Sequence, residues 1–123
     1  MAALMKMPRS MRMRLRREFL RVRRDGDSVG GKYLVLAFLR DSDLAGCRFG
    51  IITSKRVGKA VRRTRLRRQI RGIIQEFGPD LAAGHYIVTI AKVAAGNAGF
   101  EELREEWMRL AWKGGILPRK AAD

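Results

Sequence analysis

At 123 residues and 46% hydrophobic content, the chain is long enough for one domain with a modest core and too apolar for a disordered basic tail. Its 27 lysines and arginines against 12 acids give a formal charge of +15 and an isoelectric point near 11.4, which calls for a polyanionic partner: nucleic acid or an anionic membrane surface. There is no apolar run near the roughly 20 residues of a spanning helix and no signal-peptide-like apolar block at the start, and a single Cys47 with a single His85 excludes an internal disulfide and a zinc site, which fits a reducing cytoplasm.

In chain order, residues 1–12 show no period, contain Pro8 and read as a loose leader. Residues 13–24 are helical in pattern, with Leu15, Phe19 and Val22 at i, i+4 and i+7 and arginines on the other faces; Asp25-Gly26-Asp27 ends the helix. Gly30-Gly31 reads as a turn, with a short strand over 28–31 only weakly indicated. Residues 33–39 are apolar on both alternating faces, a strand covered on each side. After the turn cluster Asp41-Ser42-Asp43, residues 47–54 form the next strand, with Phe49, Ile51 and Thr53 facing one way and Arg48, Gly50 and Ile52 the other. The short polar loop between these runs predicts an antiparallel hairpin. A helix follows over 58–77, then a β-branched strand over 85–91, a loop over 94–99 and a last helix over 100–112. In that helix Phe100, Leu103, Trp107 and Leu110 line one face, and Glu101, Glu102, Glu105 and Glu106 a solvated one. Residues 114–123 read as a polar tail. One domain over 13–113 results, an α+β layer whose helices pack mainly on one face of a sheet.

The middle helix carries the strongest functional signal. Between positions 55 and 71 stand Lys55, Arg56, Lys59, Arg62, Arg63, Arg65, Arg67, Arg68 and Arg71, with no acid among them. Leu66, Ile70, Ile73 and Phe77 thread the run at helical spacing, so one face belongs to a core and the rest is cationic. Like charges a turn apart weaken a helix, so a run of one sign is costly without a polyanion to neutralise it. Arginine predominates, and its planar fork suits phosphate and base edges. Gly58 sits where the chain must turn into the helix, and Gly72 interrupts it. No carboxylate pair with metal-site character and no phosphate-cradling glycine loop is recognisable, so the residues indicate a binder and not a catalyst in its own right.

Four segments resemble the protein subunit of bacterial ribonuclease P, over roughly 13–113. They are Arg14-Leu15-Arg16-Arg17-Glu18-Phe19-Leu20-Arg21-Val22 with Gly26, then Lys32-Tyr33-Leu34-Val35-Leu36, then the long block from Arg48 through Ser54-Lys55-Arg56-Val57-Gly58-Lys59 to Arg71, and last Tyr86-Ile87-Val88-Thr89-Ile90-Ala91-Lys92. The central block is the most specific; it resembles the family's "RNR" motif, with Thr64 where the family usually has asparagine, and Gly72 where it commonly has glutamate. Lys92-Val93 keeps only the first residue of the family's usual ending to the last strand.

The resemblance implies a ribosomal-protein-like α/β sandwich, a sheet of about four strands with three helices and a left-handed βαβ crossover. It implies that Lys55, Arg56, Lys59, Arg62, Arg63, Thr64, Arg65, Arg67, Arg68 and Arg71 bind the catalytic ribonuclease P RNA. A cleft between the first helix and the sheet, including Phe19 and Tyr33, would hold the single-stranded 5′ leader of precursor tRNA. No catalytic side chain, no membrane and no protein partner are implied, and Mg2+ would be held mainly by the RNA. The alternatives are a structural ribosomal RNA-binding protein, a protein-only nuclease and a membrane-associated chain. They are separated by co-purification with ribosomal subunits, by cleavage without RNA and by sedimentation with anionic liposomes.

Overall fold

Period-3.6 and period-2 stretches become three helices and four strands: α1 (Arg16–Asp25), β1 (Asp27–Gly30), β2 (Leu34–Arg40), β3 (Cys47–Ile52), α2 (Ala60–Phe77), β4 (His85–Ala91) and α3 (Phe100–Lys113). The structure, a computed structural model, describes residues 12, 13 and 16–118. Leu15 of the expected first helix, residues 1–11 of the expected leader and residues 119–123 of the expected tail lie outside them.

The strands form one mixed sheet in the order β1-β2-β4-β3. β1 pairs antiparallel with β2, β2 antiparallel with β4, and β3 parallel with β4. The expected hairpin of the two runs before the arginine helix is therefore corrected: they run in opposite directions, but β4 lies between them. β4 is the strand that most needs a central place, since residues 86–89 and Ala91 are all buried. The weakly indicated strand near residue 28 is real and forms the hairpin with β2. Because β3 and β4 are parallel neighbours, the chain must cross the sheet between them, and α2 is that crossover.

Helices cover both faces, not mainly one as expected. Leu34, Leu36, Phe49 and Ile87 pack with Leu66, Ile70, Ile73 and Phe77 of α2 and with Leu103 and Trp107 of α3. Phe77 and Trp107 stack at 5.8 Å, and the Trp107 indole N–H donates to the buried Thr89 hydroxyl at 3.0 Å. On the other face Phe19 and Val22 of α1 meet Tyr86, Val88, Ala37 and Leu39. Two terminal expectations also change. Met13 is buried beside β3, and Ile116 and Leu117, placed by sequence in a polar tail, are buried in the larger core.

Gly72 lies inside α2 without breaking it, and a methyl group there would have only the Phe100 ring edge, at 4.0 Å, as a neighbour. Gly72→Ala is therefore expected to raise stability by about 0.5–1 kcal/mol, through the lower backbone entropy of the unfolded chain. An unchanged or lower urea midpoint at constant m-value would contradict this.

Candidate nucleic-acid interface

The interface starts where β3 ends. Lys55–Val57 form a 3-10 turn, and Gly58 follows at φ 154°, a conformation that suits glycine and redirects the chain into α2. Lys59 is the N-cap residue; no side chain caps α2 and no acid stands in its first turn. The positive end of the helix dipole is thus surrounded by Lys55, Arg56 and Lys59, all exposed. This is the reverse of the usual helix-stabilising charge order, and it leaves the backbone N–H groups for an external anion.

Burial of Leu66, Ile70, Ile73, Ile74 and Phe77 fixes how α2 is rotated. Arg62, Thr64, Arg65 and Arg68 are then exposed, while Arg63, Arg67 and Arg71, four residues apart, form a half-buried stripe. Arg67 donates to the Thr53 hydroxyl at 2.8 Å and makes a long contact of 3.4 Å to Thr64. Arg62 crosses to the loop before α3, donating to the Gly96 carbonyl at 3.1 Å and to Asn97 Oδ1 at 2.9 Å. A groove of about 800 Å³ runs between this loop and Lys59, Arg65 and Gln69. Among the described residues the ion pairs are Arg21–Asp41, Arg24–Asp25, Arg48–Glu18, Arg104–Glu76 and Arg109–Glu106, and none uses the nine cations of the run. Burial holds the Arg71 guanidinium below its ordinary pKa, and Arg12, Arg67 and Arg68 add to the effect.

A second concavity, of about 370 Å³, lies between α1 and the sheet. Phe19 and Arg23 form its helical wall, and Val35, Ala37, Ile52 and Ile90 are among its sheet residues. The Phe19 ring edge occupies the place where a side chain on Gly50 would stand: a Cβ there would be 2.4 Å from Phe19 Cε1. Tyr33 is outside this cleft. It packs on the opposite face, where its hydroxyl donates to Glu102 of α3 at 2.8 Å and Lys32 stands 5.2 Å from its ring centroid. The structure thus does not bring Phe19 and Tyr33 together, because Tyr33 sits just before β2 and turns toward α3. The aliphatic part of the cleft was not singled out from sequence. Its one signal was the apolar character of both faces of residues 33–39, which reads equally well as covered core.

The acidic face of α3 also needs correction. Glu106 is buried, not solvated, and accepts from three consecutive backbone N–H groups: Lys32 at 2.8 Å, Tyr33 at 2.7 Å and Leu34 at 2.7 Å. Among the described residues no three His, Cys, Asp or Glu side chains converge as a metal seat, and no helix is long and apolar enough to cross a membrane.

The family model for Ribonuclease P matches residues 7–113. A ribonuclease P protein component from Microcystis aeruginosa is 38% identical over 117 residues, covering 92% of this chain and 98% of the relative. One from Syntrophomonas wolfei is 33% identical over 110 residues, covering 89% and 92%. Among solved structures, the RNase P protein from Thermotoga maritima superposes with a TM-score of 0.73 at 31% identity, covering 80% of this chain and 93% of that one. The RNase P protein of Staphylococcus aureus superposes with a TM-score of 0.82 at 21% identity, covering 88% and 98%, and shares the fold.

Proposed function

The chain belongs to the ribonuclease P protein family, and on that basis we propose that it is the protein component of a ribonucleoprotein that cleaves precursor tRNA and removes the 5′ leader. Its partner in that particle is RNA. The observation that carries the assignment of parts is α2: nine cations in seventeen positions, on a helix whose core face is buried and whose cations pair with no carboxylate among the described residues. Such a surface is neutralised by phosphates, and the released counterions make binding steeply salt-dependent. In this reading Lys55, Arg56, Lys59, Arg65 and Arg68 contact the catalytic RNA directly. Arg62 and Arg67 are held by Asn97 and Thr53 and present their remaining N–H groups from fixed positions.

The α1 cleft would take the single-stranded leader. An aromatic edge with an aliphatic floor accepts any base, and Arg23 on the wall favours the adjoining phosphates. Mg2+ is assigned to the RNA, since no set of three ligating side chains converges among the described residues; when bound there it supplies an activated water for phosphodiester hydrolysis. The protein's part is to screen charge and to position both RNAs.

The deciding experiment is single-turnover cleavage of a precursor tRNA at low Mg2+, with a bacterial ribonuclease P RNA, with this protein, and with both. Stimulation in the combination alone is expected. Cleavage by RNA-free protein, or tight RNA binding without stimulation, would count against the proposal, the latter favouring a structural ribosomal role. Phe19→Leu keeps an apolar contact on Gly50 but removes the ring. It is expected to weaken binding of a leader-bearing precursor by about 5-fold, the low end of base stacking for a half-buried ring, and to leave mature tRNA unaffected. Equal effects on both RNAs would remove Phe19 from the leader site.

A further inference from the structure

Residues 12 and 13 lie along the outer edge of β3. Arg12 bridges Phe49 in parallel, and the Met13 N–H donates to the Phe49 carbonyl at 2.8 Å. β3 is an edge strand, so this short segment is its only partner on that side among the described residues. The consequence is a meeting of charges that are more than fifty positions apart in sequence. Arg12 comes into electrostatic contact with Arg71, which stands on the same helix flank as Arg67 and beside Arg68. Arg67 is already fixed toward the end of β3 by Thr53.

This cluster has no internal counter-charge. Arg12 and Arg71 form no ion pair among the described residues, and the Nε atoms of Arg12 and Arg63 are buried with no hydrogen-bond partner. Residues 1–11 contain Lys6 and Arg9 and no acid. Partly desolvated like charges raise one another's energy, and a donor buried without an acceptor costs more than one left in water. Nothing in the packing of the fold requires a guanidinium at position 12; an aliphatic side chain would avoid both penalties. We infer that Arg12, with Arg67, Arg68 and Arg71, forms a seat for a phosphate group of the RNA backbone, so that the N-terminal segment is part of the RNA-docking surface. A phosphate offers several acceptor oxygens, which suits convergent guanidinium forks. The assignment rests on the reading that α2 docks the RNA.

It is tested by titrating a bacterial ribonuclease P RNA with the full chain, with Arg12→Ala and with Arg12→Lys over a series of KCl concentrations, alongside thermal melts of each protein. Arg12→Ala is expected to bind about 5- to 10-fold more weakly and to flatten the slope of log K against log salt by about 0.7–0.9, the loss of one phosphate contact. Its melting temperature is expected to stay the same or rise, because a repulsive charge is removed. Arg12→Lys is expected to keep the slope and lose only part of the affinity. If the parent chain binds steeply and Arg12→Ala binds identically, the seat is wrong while the docking reading stands. A lowered melting temperature in Arg12→Ala would make Arg12 a fold residue and overturn the seat. A parent chain that does not bind the RNA would overturn both.

Discussion

Glu106→Gln is expected to lower folding stability by about 3 kcal/mol, from the loss of a charge-assisted acceptor to three buried donors. Oε1 accepts the Lys32 N–H, and Oε2 accepts those of Tyr33 and Leu34. Glutamine is nearly isosteric but turns one oxygen into an NH2 group, which then faces backbone N–H donors. At least one buried donor is left unsatisfied whichever way the amide is turned. The site cannot relax by moving the turn outward, because Gly31 packs against this carboxylate so closely that a Cβ there would be 2.5 Å from Glu106 Cδ. The melting temperature should fall by about 10 °C for a chain of this size. Glu105→Gln, one position earlier and exposed, is the matched control and should shift stability by less than about 0.5 kcal/mol. Urea titrations of the three proteins decide it; a Glu106→Gln change below 1 kcal/mol would show that water or backbone movement replaces the carboxylate. The role is architectural: Glu106 ties α3 to the start of β2, and through β2 to the floor of the α1 cleft.

The second large effect concerns the exposed face of α2. The double substitution Arg65→Ala with Arg68→Ala is expected to weaken binding to a ribonuclease P RNA by about 100-fold near 0.15 M salt and to flatten the log–log salt slope by about 1.5–2. Both side chains are exposed and pair with no carboxylate, so their removal opens no cavity. They stand three residues apart on one helix, and relief of their repulsion should leave stability equal or slightly higher. Arg62→Ala should behave differently: it also loses the bonds to Gly96 and Asn97, so stability and RNA affinity should fall together. Unchanged affinity in the double variant would move the docking surface off this flank of α2.

The hydrophobic periods located every main element, because helix and strand patterns are local. They also identified the rotation of α2, since Leu66, Ile70, Ile73 and Phe77 are all buried as spaced. The inward and outward sets of β3 followed likewise: Phe49 and Ile51 pack toward α2 and α3, while Gly50 lies under Phe19 and Arg48 pairs with Glu18 at 3.1 Å. Alternation states that both faces of a strand are covered. It does not state which strand is the neighbour, and so the place of β4 between β2 and β3 was missed.

What the sequence alone determined is therefore the list of elements, the excess of positive charge and its concentration on one helix, all of which depend on residues within a few turns of one another. The tertiary structure decided what depends on pairs far apart in the chain. It buried Glu106 under a turn more than seventy residues away, moved Tyr33 to the face opposite Phe19, and set Arg12 beside the end of the arginine helix. A carboxylate on a helix face has the same local pattern whether water or three amide groups lie against it. Only the packing of α3 on the β1–β2 turn selects between them.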